Sequence, residues 1–375
     1  MYLTPEQNIL FSLLKTSLWH DKDREALLSI PSETDWGELF TLAARQGVLG
    51  VSLDGLAQVG KRSGLSKSDQ IPGLSKELLI RWELSVKKME ARNKRQKEVI
   101  KELMTLFREN GIEMLLLKGI GLGMNYPQPS HRECGDIDIY LFGDYEKGNK
   151  VIENLGIEVD KEGTKHSKFY FKGVPVENHK TLLNVEYSKT DKNLEQHLLR
   201  VLDEQGSNSI MIDDVSVRVP TPDFIATFLT RHDIIHFLAS GLVMRHFCDL
   251  ALFFEKNGGR IDFVRFEKLM REEDQYDFFC SFLAIGQEYL GMPEESFPGT
   301  SIDHQKVTVL TNRVLEDSLY NKYRSIDKKE IETIWVPRRK LLGLKHFLAS
   351  KWKYDSIDRW LFYKIFIQRI YLTFL

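Results

Sequence analysis

Two aspartates stand close together in the alternating segment DIDIYL, residues 136–141. Such alternation predicts a β-strand, and residues two apart in a strand point to the same face. We therefore expect the carboxylates of Asp136 and Asp138 to lie side by side, with apolar side chains on the opposite face. Like charges this close raise each other's pKa unless a cation neutralises them. Carboxylate oxygens suit Mg²⁺ or Mn²⁺, so the pair predicts a metal site for phosphoryl chemistry.

A third carboxylate is expected near this pair, because two-metal phosphoryl transfer usually needs one. Glu177 is the first candidate, since it lies on a predicted neighbouring strand and shares a face with His179. Glu186, in the segment Leu182 to Tyr187, is the reserve candidate. The predicted catalytic and metal-binding residues are therefore Asp136, Asp138 and Glu177.

A turn with the character of a phosphate-binding site precedes the aspartates. Lys118-Gly119 follows a short apolar run, Ile112 to Leu117, that predicts a buried strand, and precedes a short predicted helix, Ile120 to Asn125. Backbone N–H groups at the start of a helix favour phosphate, glycine permits close approach of the chain, and lysine supplies positive charge. Arg132, four residues before Asp136, could contact a triphosphate. The predicted nucleotide-binding residues are Lys118, Gly119 and Arg132.

The elements that must position these residues begin with helices and continue as strands. A capping box at Thr4 to Gln7 starts a helix, and a long helical pattern runs from Lys76 to Asn110. His166 to Phe171 and Val174 to His179 predict a hairpin, in which Pro175 favours an edge position.

Helical patterns return from Thr221, with helices predicted around Leu250, Phe266, Phe282 and Trp360. The sequence thus predicts an α+β fold in three parts. A helical region occupies residues 1–104, a small mixed-sheet α/β core occupies 105–220, and a second helical region occupies 221–375.

Composition narrows the range of functions. The chain is 42% hydrophobic and 28% charged, which is typical of a globular protein. Its formal net charge of -2 provides no positive electrostatic field that would attract long nucleic acid. No stretch is apolar for long enough to predict a membrane span. Three cysteines without CxxC spacing predict neither a disulfide framework nor a structural zinc site, which favours a cytoplasmic location. They are Cys134, Cys248 and Cys280.

Several motifs together resemble the uncharacterised nucleotidyltransferase family of the polymerase-beta-like superfamily. They are Leu116-Leu117-Lys118-Gly119, Tyr126-Pro127, Arg132 and Gly135-Asp136-Ile137-Asp138-Ile139. The later Val176-Glu177-Asn178-His179 resembles the acidic-x-His step of the family, and His232, His236 and Asp249 resemble its helical C-terminal pattern. The resemblance covers roughly residues 100–255. Lys118-Gly119 stands where many members of the superfamily have Gly-Ser, and it lies farther from Asp136 than in most of them.

This resemblance implies a polymerase-beta-like core that transfers a nucleoside monophosphate from an NTP, with ATP expected, to an acceptor hydroxyl on a small molecule or protein. Asp136 and Asp138 would hold both metal ions, Glu177 would complete the metal nearest the acceptor, and Lys118 with Gly119 would steady the triphosphate. The alternative is a degenerate site that binds nucleotide or metal without turnover, as a sensor or scaffold.

Three further features have competing interpretations. His232 and His236 have a spacing that can hold zinc, but no HExxH pattern accompanies them, which favours core or hydrogen-bonding histidines. Cys134 has no identifiable base partner, which favours a structural role. From Arg338 to Leu375 the chain has nine Lys or Arg against two Asp, interleaved with aromatic residues. Such basic helices could contact a membrane surface or RNA, but packing on the catalytic core is favoured.

Overall fold

The computed structural model describes residues 2–19, 31, 33–62, 71–186, 188–239, 241–296, 304–320, 345, 347–355 and 362–367. Within these residues six strands form one mixed sheet in the order β3-β4-β2-β1-β6-β5. The strands are β1 Leu115–Leu116, β2 Ile137–Tyr140, β3 His166–Phe171, β4 Val174–His179, β5 Asn208–Ile212 and β6 Val215–Val219. β2 runs antiparallel to β1 and parallel to β4, β1 runs parallel to β6, and β3–β4 and β5–β6 are antiparallel hairpins. The predicted α+β class is confirmed.

Helices surround this sheet in the described part of the chain. Those before and within the sheet are α1 Pro5–Leu18, α2 Trp36–Arg45, α3 Leu49–Arg62, α4 Lys76–Glu109, α5 Ile120–Gly123, α6 Tyr145–Asn154 and α7 Lys189–Gln205. Those after it are α8 Pro222–Ala239, α9 Met244–Asn257, α10 Phe263–Glu272, α11 Tyr276–Leu290, α12 His304–Tyr320 and α13 Lys351–Asp355. The capping box predicted at Thr4 is confirmed, because its side chain accepts from the Gln7 N–H while the Gln7 side chain accepts from the Thr4 N–H. Two of the orphan N–H groups of α1 are satisfied in this way.

Two hydrophobic cores hold these elements. The first joins α1–α3 to the helices after the sheet, so helices from both ends of the chain share one interior. The second lies against the sheet, where Val99, Leu103 and Phe107 of α4 pack with Ile137 and Ile139 of β2. α4 belongs to both cores, since its Trp82 and Val86 lie in the first. The boundaries predicted at residues 104 and 220 stay predictions.

The β3–β4 hairpin is confirmed, but the edge position predicted from Pro175 is wrong. β4 lies between β3 and β2, and its pairing with β2 begins at Val176 opposite Ile137. Pro175 therefore lies beyond the end of β2, where its missing N–H interrupts no ladder hydrogen bond. The β5–β6 hairpin was not predicted, because its turn at Asp213-Asp214 contains no glycine, although Asp213 adopts φ +52°.

Of the basic segment 338–375, the structure describes residues 345, 347–355 and 362–367, and the remainder, including Trp360, lies outside the described residues. Phe362 and Tyr354 belong to the helical core. Lys353 also turns inward, donating to the Phe237 carbonyl and pairing with Asp317 at 2.6 Å. These contacts show that the described part of the segment packs against the helices. Within the described part of the chain, none of the helices combines the length and apolar character that a lipid bilayer span requires.

Candidate active site

Three acidic side chains meet where β2 and β4 run in parallel. The pairing places Asp138 of β2 opposite Glu177 of β4, and registered residues of neighbouring strands share a face. Asp136 lies just before β2 on the same side. One carboxylate oxygen from each of Asp136, Asp138 and Glu177 lies within 4.8 Å of the others. Asp138 is only 1% exposed, and the other two are half-buried.

The turn between β1 and α5 lies beside this cluster. The Leu117 N–H donates to the Asp138 carbonyl at 3.0 Å, which brings the next residue, Lys118, beside the aspartate. Lys118 Nζ lies 3.3 Å from Asp138 Oδ2. Gly119 adopts φ +73°, a conformation that disfavours any residue with a Cβ. α5 itself has only four residues, so the backbone of the turn, more than a helix dipole, faces the cluster.

The electrostatics of the cluster separate the two aspartates. Burial raises the pKa of Asp136, and the Asp138 carboxylate raises it further, against the effect of Lys118. Burial alone would raise the pKa of Asp138, but Lys118 and the adjacent His179 ring outweigh burial and hold this pKa well below its usual range. Burial acts to lower the pKa of Lys118, yet Asp138 and Asp136 outweigh it and raise this pKa. Asp138 and Lys118 thus form the charged pair at the base of the site.

Two basic groups near the carboxylates were not predicted as site residues. His179 was noted from sequence for sharing a face with Glu177 and for its family resemblance, and its Nε2 lies 3.0 Å from Asp138 Oδ1. Lys165 lies in the loop before β3, where burial and the neighbouring Lys118 lower its pKa while Asp138 and Glu177 act to raise it. The sequence around Lys165 carries no motif, so its approach to the cluster follows only from the fold.

Glu186, the reserve acidic candidate, lies apart from the cluster. It is exposed in a turn after β4, where its backbone N–H contacts the Asn184 side chain at 3.4 Å. Glu186 does not belong to either potential metal-binding group found among the described residues. The structure therefore brings Glu177, and not Glu186, to the two aspartates.

Arg132 lies beside the site in a buried ion pair with Asp249 of α9, and both residues line the same cavity as Lys118 and Asp136. Its Nε and Nη2 donate to the two carboxylate oxygens, each at 2.7 Å, and both side chains are almost fully buried. The Tyr126 hydroxyl donates to the same carboxylate at 2.7 Å, and Arg132 Nη1 contacts the Cys134 sulfur at 3.0 Å. The predicted triphosphate contact would require this pair to open. Cys134 is buried beside Arg132, in keeping with the structural role favoured from sequence.

Histidines form the opposite wall of the site. A cavity of about 220 Å³ has Lys118, Asp136 and Asp138 on one side and residues of α8 and α9 on the other. The rings of His232 and His236 lie 4.4 Å apart between centroids, and His246 lies 5.2 Å from His236. Neither potential metal-binding group in the described residues includes these histidines.

Comparison with protein-family models assigns this region of the chain to a family. The model of a family described as uncharacterised nucleotidyltransferase matches residues 32–291, which include every strand, both walls of the cavity and the carboxylate cluster. The searches of curated proteins and of solved structures returned no match.

Proposed function

The chain belongs to the uncharacterised nucleotidyltransferase family, and from this premise we propose that it transfers a nucleoside monophosphate from an NTP, with ATP expected, to a hydroxyl of a small molecule or protein. The acceptor oxygen bonds to the α-phosphorus, the bond from this phosphorus to the β-bridging oxygen breaks, and pyrophosphate leaves. The observation that carries the proposal is the grouping of Asp136, Asp138 and Glu177 within 4.8 Å.

The donor set fits Mg²⁺ or Mn²⁺, because all three groups offer carboxylate oxygens. The most buried of these carboxylates, Asp138, is held in charged form by the Lys118 ammonium group, which lies 3.3 Å from its Oδ2. Asp136, Asp138 and Glu177 would hold the ions. When bound, the metal ions supply neutralisation of phosphate charge and orientation of the reacting oxygens.

The remaining roles belong to residues around the cluster. Lys118, with 18% of its side chain exposed, can reach from Asp138 toward a bound triphosphate, while the Gly119 backbone lets phosphate approach the turn closely. Glu177, the third carboxylate of the cluster, takes the proton of the acceptor hydroxyl. Arg132 supports the site, because its ion pair with Asp249 fixes the segment that leads into Asp136.

Transfer can be tested with NTPs labelled at the α-phosphate, incubated with the full chain, Mg²⁺ or Mn²⁺ and a cell extract. We expect label in a small molecule or protein, together with pyrophosphate release. Asp136→Asn and Glu177→Gln should abolish both signals. Glu186→Gln is the matched control and should retain them, because Glu186 lies in an exposed turn away from the cluster. Unchanged transfer by Asp136→Asn would refute the proposal.

A second candidate function is nucleotide or metal binding without turnover. The ion pair between Lys118 and Asp138 favours it, since the lysine already neutralises the most buried carboxylate of the cluster. Calorimetric titration with ATP and Mg²⁺, run beside the pyrophosphate assay, separates the two candidates. Binding with no pyrophosphate release across acceptors would support the binding function.

A further inference from the structure

A second group of potential metal ligands lies next to the acidic cluster, on the same sheet. It consists of His166 of β3 with Glu177 and His179 of β4, whose ligand atoms lie within 4.8 Å of one another. The strand register fixes this grouping, because His166 pairs directly with His179 and Glu177 lies two residues away on the same face. All three side chains thus project from paired strands, and none of them belongs to a loop.

The His179 ring has the orientation of a metal ligand. Its Nδ1 lies 3.3 Å from the Thr181 carbonyl oxygen, and its Nε2 lies 3.0 Å from Asp138 Oδ1 and 3.9 Å from Glu177 Oε2. All three partners are acceptors, and a neutral imidazole has one N–H to donate. In the protein alone the shorter contact places this N–H between Nε2 and Asp138 Oδ1. A metal ion at Nε2 would take the place of that proton and leave the N–H on Nδ1, facing the Thr181 carbonyl, as in histidines that bind metal through one nitrogen and a backbone carbonyl through the other.

His166 adds a nitrogen that the protein leaves unsatisfied. Its Nδ1 is buried and makes no hydrogen bond, and its Nε2 lies 3.4 Å from Glu177 Oε1. Its ring stands 5.3 Å from that of His179 between centroids. The Nε2 of His166 is therefore the nitrogen that faces Glu177 and that would bind an ion shared with this carboxylate. The competing cation is Lys168, which contacts Glu177 Oε1 at 2.7 Å but is 56% exposed and free to swing outward.

We propose that His166, Glu177 and His179 form a second binding site, for a transition-metal ion such as Zn²⁺ or Co²⁺. Mixed imidazole and carboxylate donors favour these ions over Mg²⁺, which prefers oxygen ligands. Glu177 is shared with the acidic cluster, so an ion at this site lies beside the proposed transfer centre. The site is defined by its ligands alone and does not depend on nucleotidyl transfer.

The test uses Co²⁺ as the probe, because its visible absorption reports coordination by nitrogen and oxygen. We expect the full chain to bind Co²⁺ with a visible spectrum that persists under excess Mg²⁺. His166→Asn should weaken binding by about tenfold or more, since one of three protein ligands is lost. Lys168→Ala should tighten binding by removing the competing ammonium group. Thermal melting of each variant shows whether its fold is intact.

Asp136→Asn is the matched control, because it removes a carboxylate of the acidic cluster that is not part of the proposed site. It should leave the Co²⁺ spectrum unchanged even though it abolishes transfer. Displacement of Co²⁺ by Mg²⁺, or equal affinity of the parent chain and a folded His166→Asn variant, would overturn the proposal. Loss of transfer in Asp136→Asn with retained Co²⁺ binding separates this site from the proposed function.

Discussion

Replacement of Arg132 by methionine tests whether this residue supports the site or contacts the nucleotide. The change keeps most of the side-chain volume but removes both 2.7 Å hydrogen bonds to Asp249. Asp249 is 2% exposed and would remain as a buried carboxylate. Breaking a buried ion pair by removing one partner costs about 3–5 kcal/mol, mainly because the other charge is left uncompensated.

Two remaining contacts place the expected cost near the lower end of this range. Arg245 Nη1 lies 3.3 Å from Asp249 Oδ2, and the Tyr126 hydroxyl donates to Oδ1 at 2.7 Å. These groups stabilise the remaining charge, so we expect a loss of about 3 kcal/mol in the free energy of unfolding. That loss corresponds to about a hundredfold change in the folding equilibrium constant.

Urea unfolding followed by circular dichroism provides the measurement. Arg245→Met is the matched control, because this arginine touches the same carboxylate from a partly exposed position and should cost less than about 1 kcal/mol. The double variant Arg132→Met/Asp249→Asn removes both charges and should recover part of the lost stability. An unfolding free energy for Arg132→Met within about 1 kcal/mol of the parent, combined with weaker ATP binding, would refute the supporting role and favour nucleotide contact.

Three further perturbations have defined outcomes. Gly119→Ala should cost about 1–3 kcal/mol of unfolding free energy through backbone strain at positive φ, whereas Gly135→Ala, with open space around a Cβ, should cost far less; equal losses would contradict the strain. Lys118→Met removes the charge that holds the pKa of Asp138 low, so the stability that the parent draws from this carboxylate above its unfolded-state pKa should be missing in the variant; the difference in unfolding free energy between parent and variant should be largest near neutral pH and narrow as the pH falls, and a difference independent of pH would exclude this coupling. Burial acts to lower the pKa of His131, but its hydrogen bonds to Asp54 and Glu90 outweigh burial and raise this pKa above its ordinary value. This stabilisation is complete below the unfolded-state pKa and is lost as the pH rises through the folded-state value, so the stability of the parent relative to His131→Asn should decline over that window in urea titrations.

Local sequence patterns predicted the elements whose bounds are set by residues close together in the sequence. α4 ends at its predicted Asn110 cap, and the β3–β4 hairpin has the predicted bounds. The periodicity of apolar side chains is enough to predict such elements, because it indicates which face of the helix or strand is buried. The face shared by Asp136 and Asp138 followed from the same rule.

Contacts between distant segments could not be read from periodicity. Arg132 and Asp249 are 117 residues apart, and the sequence around each residue gives no sign that the two form an ion pair. Lys165 lies before β3, and its charge interactions with Asp138 and Glu177 depend on how β2, β4 and β3 are ordered in the sheet. Pro175 suggested an edge strand. The local sequence could not show that the pairing between β2 and β4 begins only at the next residue, Val176.

The position of Lys118 connects the charge balance of the site to the binding of metal and nucleotide. In the protein alone, the lysine neutralises Asp138, which cannot reach water. A divalent ion at the carboxylates would take over this neutralisation and repel the ammonium group, whose side chain is 18% exposed and opens onto the cavity. A triphosphate bound with the metal offers the displaced ammonium a new anionic partner. We therefore expect metal and nucleotide to bind more tightly together than separately, and Lys118→Met to reduce this cooperativity in calorimetric titrations of ATP with and without Mg²⁺.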